Sequence, residues 1–267
     1  MNEVARSLES NPRLRNLSQQ RREKIVEFVT GNTLFVMLHE LLHAAVAELQ
    51  LPVLGREEDA ADDFATLRLL NVGSDLSHRV LAEAARGWFL SDRRDRRDGE
   101  KLVFYGEHGL DRQRAYQIVC LMVGSDPMKF GDLAEEMKLP DDRQESCNRD
   151  YQKILASWNT VLAPHRRDAE QQKTKISWAY GDAKGDLAVY AEGLRRLQLL
   201  ETIAAVAENT LSWPAPFALE AKTCGFINAR WIHELRKLEL CYELVADFAE
   251  LYREFNSVTT VKRRKTK

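Results

Sequence analysis

The stretch His39-Glu40-Leu41-Leu42-His43 constrains this chain more than any other. Histidines four residues apart stand one above the other on a helix, so both imidazoles reach a single metal ion. The glutamate between them points to a neighbouring face, where it can hold a water rather than the metal. The flanks argue against a pair of surface histidines. Leu34-Phe35-Val36-Met37-Leu38 precedes the motif and Ala44-Ala45-Val46 follows it. A helix apolar on most faces is buried, and two histidines and a glutamate inside it need partners. A metal is a natural partner, and the pattern predicts a zinc hydrolase with one Zn2+ per chain.

Catalytic zinc usually takes three protein ligands and a water. After His43, Leu51-Pro52-Val53-Leu54-Gly55 ends the first helix. A second helix opens near Arg56-Glu57-Glu58, its acidic first turn matched to the positive end of the helix dipole. Glu58 shares a face with Ala61, Asp62 and Ala65, and the small alanines permit close approach to the first helix. This makes Glu58 the third metal ligand. Asp62, one turn on, becomes the acceptor for the outer N–H of His39. Five of the seven positions from Glu57 to Asp63 are acids, so Glu57 stays open as a shifted register. Otherwise Glu57, Asp59 and Asp63 read as charges favoured by the dipole.

His39-Glu40-x-x-His43 followed by Glu58-x-x-x-Asp62 resembles the gluzincin branch of zinc metallopeptidases. A narrower resemblance covers about residues 25–165. HELLHA…LPVLGREEDAADDFA, then EHGLDRQRAY…GSDP, then SW…LAPH, look like a family of uncharacterised bacterial metallopeptidases. Residues 224–244, CGFINARW…LCYEL, resemble a segment that often precedes the zinc helix in that family; here they follow it. Position 42 is Leu where glycine is frequent, an x position with no part in ligation. The resemblance implies a zincin-like domain over residues 1–267, with a zinc-binding helix and a glutamate helix, acting on a peptide or protein substrate.

Metal-assisted hydrolysis assigns Glu40 as the general base and asks for a donor to the developing oxyanion. The loop Phe104-Tyr105-Gly106-Glu107-His108-Gly109 leads into a helix bearing Arg112 and Arg114. His108 is the first candidate donor and Tyr105 the second, with local capping or packing of His108 as the alternative. His78, His165 and His233 have no carboxylate constellation and stay unassigned. Two other functions fit the same motif. One is a zinc hydrolase acting on a non-peptide amide or ester. The other is a non-catalytic zinc-fold binding or regulatory protein, against which the intact Glu40 argues.

Periodicity predicts an α+β fold, mostly α, with a small antiparallel sheet. Helices are expected over about 18–50, with a break allowed near Gly31-Asn32, and over 56–70, 76–90, 111–123, 128–138, 141–162, 186–209 and 245–255. Residues 91–110 read as a long loop that includes the solvated charge run Arg93 to Asp98, and 163–185 as irregular. Short strands are expected at 217–223, 226–231 and 238–243, the only source of a sheet edge for an extended substrate. A purely structural hairpin pinned by Cys224 and Cys241 is the alternative. A zinc-binding helical part over about 19–165 and a second part over about 186–256 are the two lobes into which the chain divides, if it divides.

The net charge of −2 gives no bulk sign of nucleic acid as a partner. No membrane partner is expected either, since no window collects the ~18 apolar residues of a bilayer span. Residues 1–22 lack the apolar core of a signal peptide, so the location is cytoplasmic by default. Export is the alternative if the start is truncated or disulfides form. Cys120, Cys147, Cys224 and Cys241 contain no Cys-x-x-Cys pair. Two local disulfides and four buried free thiols are equally open. Residues 1–18 read as a loose lead-in and 262–267 as a frayed basic terminus.

Overall fold

The structure is a computed structural model that describes residues 18–264 apart from 169 and 171, with side chains described to residue 255. The lead-in at 1–17 and the last three residues of the basic tail fall outside the described residues.

Helix α1 (Gln19–Leu49) is the central element. Ser18 caps its start, its hydroxyl accepting from the Arg21 N–H at 3.4 Å. Gln50, in the left-handed conformation, ends it. The helix does not break at Gly31-Asn32. Asn32 Nδ2 donates to Phe28 O (2.9 Å) within the helix and to Glu83 O (3.0 Å) of α3 (Asp75–Asp98). The amide is thus occupied in joining two helices rather than in opening one. Gly87 of α3 permits this approach, because a Cβ there would stand 1.8 Å from Asn32 Oδ1. By mean hydropathy, 1.4 over an 18-residue window, α1 does reach the range of a membrane span, which corrects the expectation that no window would. Within that window 78% is buried inside the protein, where α1 packs on its neighbours as a core helix.

Helix α2 (Glu57–Val72) folds back along α1, and α3 packs across both. α3 runs past the expected Leu90 and takes in the charge run expected as loop. Its charges pair as a helix requires. Arg94 makes a two-pronged bond to Asp247 (2.8 and 3.0 Å), Arg96 Nε donates to Asp92 (3.0 Å), and Arg97 reaches Glu254 (2.8 Å). The loop that remains is 99–110. Helices α4 (Asp111–Ser125), α5 (Pro127–Glu136) and α6 (Asp141–Leu162) follow, with Cys120 of α4 bonded to Cys147 of α6. The long helix expected over 186–209 is two, α7 (Ala188–Arg196) and α8 (Leu199–Thr210), separated where Gln198 takes φ 51°.

The fold is α+β and mostly helical. The sheet is mixed, which corrects the expected antiparallel one. Strands β1 (Ser177–Tyr180), β2 (Ala218–Lys222), β3 (Ala229–Ile232) and β4 (Lys237–Cys241) lie in the order β1-β2-β4-β3. β1–β2 and β2–β4 pair parallel, and only β3–β4 pair antiparallel. Parallel neighbours need a long crossover, and α7 with α8 supplies it between β1 and β2. β1 itself lies in the segment expected to be irregular, because its residues show no buried alternation. Helix α9 (Tyr242–Arg264) starts directly after β4. One hydrophobic cluster runs from Phe35 to Ala249 and includes both helices and sheet. Cys224 and Cys241 form the second disulfide, so of the two alternatives for the cysteines the structure has the paired one.

Candidate metal centre and cleft

Helix α1 turns the His39 and His43 side chains toward α2. Their Nε2 atoms are 3.1 Å apart. The other ring nitrogens face carboxylates. His39 Nδ1 lies 2.8 Å from Asp62 Oδ1, and His43 Nδ1 lies 2.7 Å from Glu57 Oε1. A neutral ring held in this way keeps its proton on Nδ1 and can offer Nε2 to a metal. Glu58 closes the triangle, with Oε2 3.0 Å from His39 Nε2 and Oε1 3.5 Å from His43 Nε2. Donor atoms about 2.0–2.2 Å from one tetrahedral ion stand roughly 3.3–3.5 Å from each other. Here the two Nε2 atoms stand 3.1 Å apart, and each faces a different oxygen of the Glu58 carboxylate, at 3.0 and 3.5 Å. Two facing lone pairs repel unless a proton or a metal lies between them. The donor set therefore fits a metal ion, with His39, His43 and Glu58 able to hold it.

The same carboxylates fix the charge of the cluster without metal. Burial opposes charge on His43, but the bonds from Glu58 and Glu57 outweigh it and lift the imidazole to about 9. Burial opposes charge on His39 as well, and Asp62 and Glu58 raise it regardless. Glu58 is held well below the usual carboxylate range: burial works against this, and the bonds from His108, His39 and His43 prevail. Glu40 differs in direction. Burial pushes its carboxyl upward against the pull of His39 and His43. Its Oε2 accepts the backbone N–H of Trp231 on β3 at 3.1 Å. A carboxyl raised in this way is suited to take a proton and give it back.

Asp62 is anchored from behind. Arg114 donates to it through Nε (2.6 Å) and a terminal nitrogen (2.8 Å), and the guanidinium lies 3.6 Å from the centre of the Trp88 ring. Opposed by burial, Arg114 and His39 still hold Asp62 below its usual range. The sequence showed Arg114 only as a nearby cation. The signal available was its place one turn before Ile118, on the buried face of α4. Glu57 read as a dipole charge, and it sits on His43. Asp59 pairs with Arg56 (3.1 Å) and Asp63 accepts from Gln117 (3.0 Å), both away from the histidines. The Trp231 contact uses main chain and left no side-chain signal.

The two candidate donors part company. His108 Nε2 lies 2.8 Å from Glu58 Oε2, and its ring is nearly parallel to that of His39 with centroids 6.4 Å apart. Tyr105 is 93% exposed and does not line the cleft. That cleft has a volume of about 660 Å3 and runs along α1, walled by α3, α9 and β3, with His39, Glu40, His43, Glu58 and His108 on its surface. β3 is an edge strand. Asn228 O bonds to Cys241 N–H, so alternate residues face β4, and Ala229 and Trp231 present their main-chain groups outward.

No curated protein and no solved structure matches this chain. A family model described as "Putative metallopeptidase" matches residues 5–162 and 182–267, which takes in the histidine helix, the glutamate helix and the edge strand. A metallopeptidase needs a metal ion, and two overlapping groups of this cleft, His39 with Glu40 and His43 and His39 with Glu58 and His108, bring their donor atoms close enough together to hold one. By that match, which spans most of its length, the chain belongs to this metallopeptidase family.

Proposed function

We propose that this protein is a zinc-dependent peptidase that hydrolyses extended segments of peptide or protein, with Glu40 as general base. The observation that carries the reading is the convergence of two imidazole Nε2 atoms and Glu58, with the buried carboxyl of Glu40 beside both histidines. Two nitrogens and one carboxylate oxygen favour zinc over calcium or magnesium, which prefer all-oxygen sites. Zinc held by His39, His43 and Glu58 would supply acidification of a water and polarisation of the scissile carbonyl. Glu40 takes the proton of the attacking water and delivers it to the leaving amine. The Trp231 N–H keeps the carboxylate aimed during both transfers. Asp62 and Glu57 hold the imidazole rings in the tautomer that leaves Nε2 free. His108, at the cleft surface beside Glu58, is the donor to the developing oxyanion.

With the Trp231 N–H given to Glu40, the outward main-chain groups of Ala229 and the Trp231 carbonyl favour a peptide over a small amide or ester, since a substrate strand can pair with them. The two disulfides support an oxidising compartment as the place of action.

The test combines metal analysis with proteolysis. Wild type is expected to carry about one zinc per chain, and His39→Ala and Glu58→Ala to lose it. Glu40→Gln should retain the metal and lose cleavage of a denatured protein by about a thousandfold. A repleted wild-type protein that holds no zinc refutes the reading. Full zinc with cleavage of small esters alone moves the substrate class.

A further inference from the structure

A second cavity, of about 400 Å3, opens on the other side of α2. Glu58 and Asp62 lie one turn apart and face α1. Phe64, Arg68 and Asn71 follow helical spacing on roughly the opposite face and line this cavity. Trp158 and Asn159 of α6 form a second wall. Three arginines reach the cavity, Arg68, Arg166 and Arg167, and among the described residues no Asp or Glu lines it.

The arginines elsewhere show what is unusual here. Arg94 is paired with Asp247, Arg114 with Asp62, and Arg86 with Glu136. Arg68 has a buried Nε without a hydrogen-bond partner, and among the described residues no carboxylate pairs with it. Arg166 donates to Asn159 Oδ1, a neutral acceptor that leaves the charge uncompensated. Burial, and then the charge of Arg166, hold Arg68 below the usual guanidinium range, so the two cations act on each other. Like charges brought to one partly buried cavity repel, and an anion between them reverses the sign of that interaction.

We propose that this cavity is a binding site for a small organic phosphate, its phosphoryl group held by Arg68 and Arg166 and its organic body against Phe64 and Trp158. Guanidinium groups match phosphate oxygens in pairs. A phosphoryl group carries close to two negative charges at neutral pH, enough for two arginines, whereas a single carboxylate carries one. The volume belongs to the range of ligand pockets of about 300–1,000 Å3, and a bare ion fills only a part of it. Phe64 and Trp158 meet edge to face with centroids 5.6 Å apart and give the site an apolar wall.

The test titrates phenyl phosphate into the full-length protein by calorimetry, with benzoate at equal ionic strength as the singly charged probe. Saturable binding of one phenyl phosphate per chain is expected, with benzoate weaker by about tenfold or more. Arg68→Gln and Arg166→Gln should each weaken phenyl phosphate by about tenfold or more, which separates the cavity from the histidine cluster. A second readout needs no ligand. Arg68→Gln without anion should unfold at or above the wild-type temperature, because one of two repelling charges is gone. A purely structural Arg68 would lower that temperature. Absence of saturable binding, equal binding of benzoate, variants that bind like wild type, or a lower unfolding temperature for Arg68→Gln would each overturn the proposal.

Discussion

Asp62 joins the histidine cluster to the rest of the protein, with His39 on one side and Arg114 on the other. Asp62→Asn keeps the shape and removes the charge. Arg114 is then buried without a counter-ion, and His39 is free to take its other tautomer. Metal affinity should fall about 10–100-fold, and stability by roughly 3–5 kcal/mol. Competition with a chelator and urea unfolding measure the two, and unchanged affinity would show the contact to be incidental. His43, lifted to about 9, must lose its proton before it can ligate. Metal binding at pH 7.5 should therefore release about one proton from it, and affinity should rise with pH until near 9. Calorimetry in buffers of different ionisation heat counts the proton. Asp63 gives a pH effect of its own. Burial, with Asp62 and Asp59 nearby, raises it from 3.8 to about 7. The unfolded chain therefore ionises first, and this residue's contribution to stability declines as pH rises from about 4 to about 7 and then levels. Asp63→Asn retains an acceptor for Gln117. In metal-free protein it should be more stable than wild type by about 2–4 kcal/mol at pH 8, with no gain at pH 3. A gain independent of pH would exclude this cause.

Helices α4 and α6 pack main chain to main chain at Gly124. A Cβ at Gly124 would stand 2.3 Å from Cys147 O, a backbone atom that no rotamer change can move. Gly124→Ala should lower stability by about 1–3 kcal/mol or more, measured by thermal unfolding, and leave metal content intact. The elements legible in the sequence are those whose signals are local. α6 begins and ends where periodicity put it, and α1 and α2 are separated at the Leu51–Gly55 punctuation. The end of α3 was not legible because its charges are satisfied by Asp247 and Glu254 of α9, 153 and 157 residues away. β1 was missed because it has no buried alternation, and parallel pairing was missed because strand order depends on where α7 and α8 cross over. The candidate site divides in the same way. The residues on α1 and α2 were readable because two adjacent helices carry them. The anchor on α4 and the main-chain donor on β3 come from outside that window.

For the molecule as a whole, two disulfides close segments of 27 and 17 residues. Each should contribute about 3 kcal/mol, chiefly by restricting the unfolded chain. Reduction of both, with the four thiols blocked, should lower the unfolding temperature by several degrees or more. An unchanged temperature would make the bonds incidental to stability. Cys224–Cys241 brackets β3, so its loss should also loosen the strand that holds Glu40, with cleavage falling before metal content does. The hydrogen bond from Trp231 to Glu40 has one more consequence, because its partners are 191 residues apart. A ribosome releases a chain from its N-terminus, and the metal-binding helices emerge long before the strand. On the proposed chemistry, a half-made chain can already gather zinc while its base still swings unguided. Synthesis itself thus acts as a safety catch: the molecule becomes competent to cut only after the strand has been made and has closed on the helix.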